Sequence, residues 1–292
     1  MRTSTIVVGT DGTASSEAAV RWAAAEAARR EVPLHIVHAY DAEHDESGLE
    51  RQFAQAALDA AIRQARKVAP ALRIEEEAPA GDPVRGLLGA GDAGLIVLGN
   101  RGRGGFASLL LGSVSQRVAT HATGPVVVVR GRTEVAEGPV VAGVDDSAAA
   151  DGVLAAAFDA AASRGCSLAV VRTYAPPTPL WVGDIPVVDS EGQVVDAARQ
   201  RDLEALVAPW RDKYPQVDVE VAVSPDGPAA VLVALSHSAR LIVVGSRGHG
   251  TLAGTLLGST GLQLLHHAGC PVLIERGTPV ASIASGHDPA DR

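Results

Sequence analysis

Lysine is almost missing from this chain of 292 residues: Lys67 and Lys213 are the whole complement. A P-loop needs a lysine inside GxxxxGK[ST], and both lysines fall in the helical stretch before the third strand of a repeat, so a P-loop NTPase is excluded. Aromatic residues make up only 3%, and the 47% apolar fraction comes mainly from alanine and valine. No apolar run approaches the roughly 18 residues of a membrane span. The opening MRTSTIVVGTDG has a three-residue apolar run before Asp11, too short for a signal-peptide core, so the expectation is a cytoplasmic protein with no membrane partner. A net charge of -9, with no Lys/Arg run longer than a pair, repels polyanions and sets nucleic acid aside. Cys166 and Cys270 are too few for a disulfide framework and read as small buried hydrophobes. The nine histidines lack ligand spacing, so no protein metal site is expected.

What is present is a duplication. Residues 1–40 align with 135–174 without a gap: Gly9 meets Gly143, Asp11 meets Asp145, Thr13 meets Ser147 and Tyr40 meets Tyr174. The second copy then carries an insertion around Pro176, Pro177, Pro179 and Trp181. The match resumes with LIVLGNRGRGG against LIVVGSRGHGT, and GPVVVVR against CPVLIER. The expected organisation is domain one over 1–132, a linker at 133–138, domain two over 139–277 and a disordered tail at 278–292.

Each copy alternates short β-rich runs with longer alanine-rich helical stretches. In the first, strands are expected near 5–10, 34–39, 72–78, 94–99 and 125–130, with helices near 15–30, 49–69, 83–91 and 113–122. Runs such as VVVV and LIVL do not alternate, which predicts a parallel sheet covered on both faces. The fold class is therefore α/β, with two doubly wound, Rossmann-like five-stranded parallel-sheet domains in tandem, each of strand order 3-2-1-4-5. That order reverses between strands one and four. Ligands bind there, beyond the carboxyl ends, where Asp11 closes strand one and Gly99 closes strand four.

After strand four, Gly99-Asn100-Arg101-Gly102 is followed nine residues later by Gly112-Ser113, and Gly245-Ser246-Arg247-Gly248 by Gly258-Ser259. Two readings are open: glycines that make tight turns, or glycines that let backbone N–H groups approach an anion at a helix start. Ser113 is the expected N-cap, with Gln116 completing a capping box and Val114 and Ser115 adding first-turn amides. The second copy has Leu262 opposite Gln116, so its cap rests on Ser259 or Thr260 and its helix start is expected to be weaker. Arg101, Arg103, Arg247 and His249 either neutralise phosphate or are solvated surface groups. Asp11 and Asp145 either cap a turn or bind a ribose or a phosphate-borne metal. GxGxxA matches at 102–107 and 248–253 follow the fourth strand, not the first, so they are not a dinucleotide fingerprint. No Ser/His/Asp set or repeated base recurs, and no catalytic residue is assigned.

The G-x2-G-x9-G-[ST] loops, with VVGTDGT and VAGVDDS at strand one and the closing GPVVVVR and CPVLIER, resemble the universal stress protein family in its tandem, ATP-binding, actinobacterial form. The resemblance covers nearly the whole chain and implies an adenine nucleotide alpha hydrolase-like fold. By matching positions it implies that Asp11 and Asp145 contact adenosine beside Gly9 and Gly143, and that Ala39 and Thr173 offer backbone to the adenine. Gly99, Asn100, Arg101, Gly102, Arg103, Gly104 and Gly105 would wrap one set of phosphates. Gly245, Ser246, Arg247, Gly248, His249, Gly250 and Thr251 would wrap the other. Gly112, Ser113, Val114, Ser115, Gly258, Ser259 and Thr260 would complete the cradles. Thr260 and Gly261 depart from the family pattern. The resemblance further implies ATP with Mg2+, a homodimer formed through the last strand, an unidentified regulatory protein partner, and a regulatory or sensing role in stress or dormancy without efficient turnover. A slow Mg-dependent ATPase or nucleotide-dependent transferase is the alternative.

Overall fold

A computed structural model describes residues 5–41, 48–90, 93–102, 111–132, 137–174, 181–182, 185–186, 191–246 and 257–276. The first half runs β1 Thr5–Gly9, α1 Ala14–Arg30, β2 Leu34–Val37, α2 Leu49–Val68, β3 Ile74–Glu77, α3 Pro83–Gly89, β4 Ala93–Gly99, α4 Ser113–His121 and β5 Val126–Val129. The second repeats it with β6 Val140–Val144, α5 Ala150–Arg164, β7 Leu168–Thr173, α6 Glu191–Lys213, β10 Val219–Ser224, α7 Pro228–Ser236, β11 Leu241–Gly245, α8 Ser259–His267 and β12 Val272–Glu275. The insertion holds a short antiparallel pair, β8 Trp181–Val182 and β9 Ile185–Pro186. Linker positions 133–136 and the tail lie outside the described residues.

Both halves have the expected strand order, but they do not form two sheets. The strands run β10-β7-β6-β11-β12-β5-β4-β1-β2-β3 in one ten-stranded sheet. At its middle β12 pairs antiparallel with β5, Leu273 opposite Val127, while every other named pairing in it is parallel. The last strands, which the resemblance assigns to contact between chains, thus meet within one chain.

Burial follows the apolar runs. Val126 to Val129 are all buried, and successive residues feed opposite cores: Ile6 and Val8 pack under α1 and α2, Val7 under α3 and α4. Small alanines on α1 let it lie close to the sheet, with Ala19, Ala23, Ala24 and Ala27 fully buried. In the second half Phe158 fills the matching core, its ring 5.9 Å from Trp210 and 5.5 Å from Tyr214. Cys166 and Cys270 are free thiols, and burial pushes the Cys270 thiol up to about 12.

Two sets of charges cross the seam. Glu26, with only 1% of its side chain exposed, meets Arg29 and Arg30 of its own helix and Arg164 of α5, each at 2.6 Å. Arg164 also lies over the Trp22 ring at 5.7 Å. Arg30 and Arg164 occupy matching positions of the duplication, whereas Glu26 is matched by Ala160, so one carboxylate serves both arginines. Further along, Arg130, just past β5, donates from Nη1 to the Leu264 carbonyl in the last turn of α8 at 3.0 Å. Arg276, just past β12, donates from Nη2 to the Ala119 carbonyl in the last turn of α4. Cations there complement the negative ends of the helix dipoles.

Glu275 breaks the symmetry differently. It stands where the first half has Val129, and burial pushes its carboxyl up to about 7 against the pull of the Arg276 backbone hydrogen bond and Arg30. A carboxyl raised in the folded state adds stability below its unfolded value near 4.5 and loses that contribution as pH rises through about 7. Glu275→Val should therefore stabilise the protein more at pH 8 than at pH 5. Melting temperatures of both proteins across that range check this; a gain that shrinks with pH would contradict it.

Candidate functional site

Doubly wound sheets open a crevice where neighbouring strands send their connections to opposite faces. Here β1 with β4, and β6 with β11, make that switch point. The carboxyl ends of these strands open into a cavity of about 280 Å³ in the first half and about 610 Å³ in the second. Gly9, Asp11, Ala39, Gly99, Arg101, Gly102, Gly112, Ser113, Val114 and Ser115 all line the first. Gly143, Asp145, Thr173, Gly245, Gly258, Ser259 and Thr260 all line the second. Arg103, Gly104, Gly105, Arg247, Gly248, His249, Gly250 and Thr251 lie outside the described residues.

The aspartates satisfy part of the local reading. Asp11 Oδ1 accepts from the Thr13 amide at 3.0 Å and from its hydroxyl at 2.7 Å. Asp145 Oδ1 accepts from the Ser147 amide at 3.0 Å and from its hydroxyl at 2.5 Å. These Asx turns fix each carboxylate at the cleft wall without removing it from the cavity. Gly102 is required by this placement, since a Cβ there would lie 2.7 Å from Asp11 Oδ2.

The other glycines divide by cause. A Cβ at Gly9 would come within 2.8 Å of Leu98 and 3.1 Å of Leu87, and one at Gly143 within 2.7 Å of Leu232. Their bareness lets a leucine of α3 or α7 fold over the strand end. At Gly99 a Cβ would lie 2.5 Å from Ser15 Oγ and 2.7 Å from the Ser15 carbonyl, so β4 can end against the start of α1 only as glycine.

The helix caps differ from the sequence expectation. Gly112, not Ser113, is the N-cap of α4, with φ −74° and ψ 146°, and its carbonyl accepts from the Gln116 amide at 2.9 Å. Ser113 is already the first helical residue and Gln116 the fourth, so the capping box does not form. Gly258 caps α8 in the same way, its carbonyl accepting from Leu262 at 3.0 Å. Neither helix has a side-chain cap, so capping does not tell the two starts apart, and only Gly261 in the first turn of α8 still sets the second one back. In both halves the cap amide ties back to the strand end, Gly112 to the Asn100 carbonyl at 2.7 Å and Gly258 to the Ser246 carbonyl at 2.8 Å. Asn100 and Ser246 hold the loop closed and do not line the clefts. The Ser115 hydroxyl is likewise structural, donating to the Gly99 carbonyl at 2.7 Å. Gly261 takes that place in α8, where a Cβ would lie 3.1 Å from a Leu257 methyl.

Electrostatically the first cleft is cationic at its loop: Arg101 lines it and Arg130 lies close by, its guanidinium pulled down by burial and then by Arg101. Sequence reasoning missed the walls opposite the loops. Pro83 and Leu87 form one, Pro228 and Leu232 the other. A proline opening the helix after strand three in both copies was the available signal. It also missed Asp146, Arg172 and Asp226 at the second cleft, which have no like residue in the first copy to mark them, and it aligned Tyr174 with Tyr40 without placing it there. Among the described residues no group of His, Cys, Asp and Glu could hold a metal ion, and no helix is long and apolar enough to cross a membrane.

Two switch-point clefts in a duplicated, doubly wound sheet, each bounded by a strand-end glycine, an aspartate and a helix start without a side-chain cap, define a tandem α/β protein with one such cleft per half. The model of the universal stress protein family matches residues 3–130 and again 138–276, and the chain belongs to that family. Universal stress protein Rv2005c of Mycobacterium tuberculosis is 35% identical over 295 residues, covering 93% of this chain and 96% of its own length. A universal stress protein of Mycolicibacterium smegmatis is 34% identical over 290 residues with the same coverage. The crystal structure of a universal stress protein from Archaeoglobus fulgidus superposes with a TM-score of 0.70 at 22% identity, covering 95% of this chain and all of its own, and shares the fold.

Proposed function

We propose that each cleft holds ATP and that the chain acts as a nucleotide-dependent regulator or sensor in a stress or dormancy response, without efficient turnover. The observation that carries this reading is the repeated juxtaposition of an aspartate at the end of strand one with a helix start that has no side-chain cap. Free first-turn N–H groups and the helix dipole favour phosphate, and glycines allow its close approach. The triphosphate would lie against Gly99 to Gly102 with Gly112, Ser113 and Val114, and in the second half against Gly245 with Gly258, Ser259 and Thr260. The loop residues outside the described ones, Arg103 to Gly105 and Arg247 to Thr251, belong to the same assignment. Asp11 and Asp145 would take the ribose, and the backbone at Ala39 and Thr173 the adenine. Carboxylate and phosphate oxygens suit Mg2+, which would neutralise phosphate charge.

The same reading places the protein in the cytoplasm, divides it into domains at 1–132 and 139–277, and gives it a protein partner. With β5 and β12 occupied by each other, a homodimer would use another surface. Nucleotide released by denaturing freshly purified protein, identified by mass spectrometry, tests the proposal. Adenine nucleotide at up to two per chain is expected. A nucleotide-free protein that also fails to bind ATP with Mg2+ by calorimetry overturns it. Phosphate release above background that is lost in Asp11→Ala would favour a slow ATPase instead.

A further inference from the structure

The two cavities differ most where the duplication aligns without a gap. The larger one extends onto the α5 face of the sheet, where Asp146, Ala149, Ala150 and Val153 line it, whereas no described residue of α1 lines the smaller one. The first half fills this space. Ser15 donates to Asn100 Oδ1 at 2.9 Å and accepts from the Arg101 amide at 3.2 Å. Ser16, Thr10 and His38 are buried beside it, with the two hydroxyls 3.3 Å apart. At the four matching positions the second half has Ala149, Ala150, Val144 and Arg172. Three hydrogen-bonding side chains are gone, a lobe opens, and an arginine projects where a histidine closed it.

Arg172 is 12% exposed and pairs through Nη1 with Asp146 Oδ1 at 2.8 Å, while its Nε has no hydrogen-bond partner among the described residues. Asp146, which replaces Gly12, is 68% exposed. A carboxylate that exposed can turn into water, and an incoming phosphate would then compensate the buried guanidinium in its place. The guanidinium left behind matches phosphate geometry. Its place decides which phosphate: Arg172 precedes Thr173, assigned above to the base, and Asp146 follows Asp145, assigned to the ribose. In dinucleotide sites a carboxylate reads a free ribose hydroxyl, and an arginine beside it reads a ribose phosphate.

We propose that the second cleft accepts an adenosine 5′-phosphate carrying a further phosphate on its ribose, bound by Arg172 in place of Asp146, while the first cleft takes nucleotides with a free ribose. This rests on the nucleotide reading of the clefts and adds a ligand class to one of them.

Calorimetry on the full chain tests it, with the first cleft disabled by Gly102→Glu and AMP compared with adenosine 3′,5′-bisphosphate and adenosine 2′,5′-bisphosphate. One bisphosphate should bind at least about 10-fold tighter than AMP, and which one identifies the ribose position. Arg172→Gln should bring that ratio close to one, and Arg172→Lys should keep part of it. Asp146→Ala should raise the ratio by removing the competing carboxylate. Melting curves confirm folding of each variant. If AMP binds but neither bisphosphate is preferred, or the preference survives Arg172→Gln in a folded protein, the proposal fails and the nucleotide reading stands. If no nucleotide binds the wild-type chain, both fail.

Discussion

Glu26→Ala should lower the stability of the chain by about 3–5 kcal/mol, as expected when one partner of a buried ion pair is removed. Arg29 and Arg30 are about a third exposed and can turn to water, but Arg164 is 7% exposed and would be left as a buried, uncompensated cation. Burial alone would raise the Glu26 carboxyl; Arg164, Arg30 and Arg29 outweigh it and hold the group at about 2, below its usual 4.5. For a carboxyl depressed in this way the stabilisation is complete above pH 4.5 and is lost as pH falls through about 2. The difference between wild type and Glu26→Ala in urea unfolding should thus be constant near neutrality and shrink between these limits. In Glu26→Ala with Arg164→Ala the combined loss should fall short of the sum of the single losses, because neither charge is then orphaned. Full additivity would show that the pair is not coupled.

Gly102→Glu should cut nucleotide affinity at the first cleft by about 100-fold, or nearly 3 kcal/mol. Any side chain at this position runs into Asp11 Oδ2, and glutamate adds a negative charge facing the expected phosphates. Equilibrium dialysis with ATP and Mg2+ should show the stoichiometry falling from two to one, with the second site retained. Combining it with Gly248→Glu should abolish binding. Undiminished binding in the double variant would mean that the ligand does not sit between the glycine loop and the aspartate.

The architecture was legible because its signals are periodic and repeated. Unbroken apolar runs at β4 and β5 announce strands buried on both faces, and the aligned Gly9/Gly143 and Asp11/Asp145 pairs mark one crevice in each copy. Joining of the sheets was not legible. Val126 to Val129 read the same whether β5 is an edge or a centre, since a neighbouring strand on its free side uses only backbone groups. The helix caps were misplaced by one residue because Gly112 and Ser113 are both acceptable caps by type, and only the extended backbone of Gly112 decides. Glycines at strand ends advertised a ligand, yet Gly9 and Gly143 answer to leucines. Arg172 escaped notice for the opposite reason: comparing the copies rewards sameness, and the residue that sets the second cleft apart is one the copies do not share.

The crossed arginines give the duplication a direction that cannot be reversed by simply dividing the gene. Helix α8 begins at its own cleft but finishes on Arg130, and α4 finishes on Arg276, so each cleft leans on a residue encoded in the other half. Cutting the chain at its linker would leave both helices blunt and expose the β5 and β12 edges together. A half on its own would lack the arginine that closes its cleft helix.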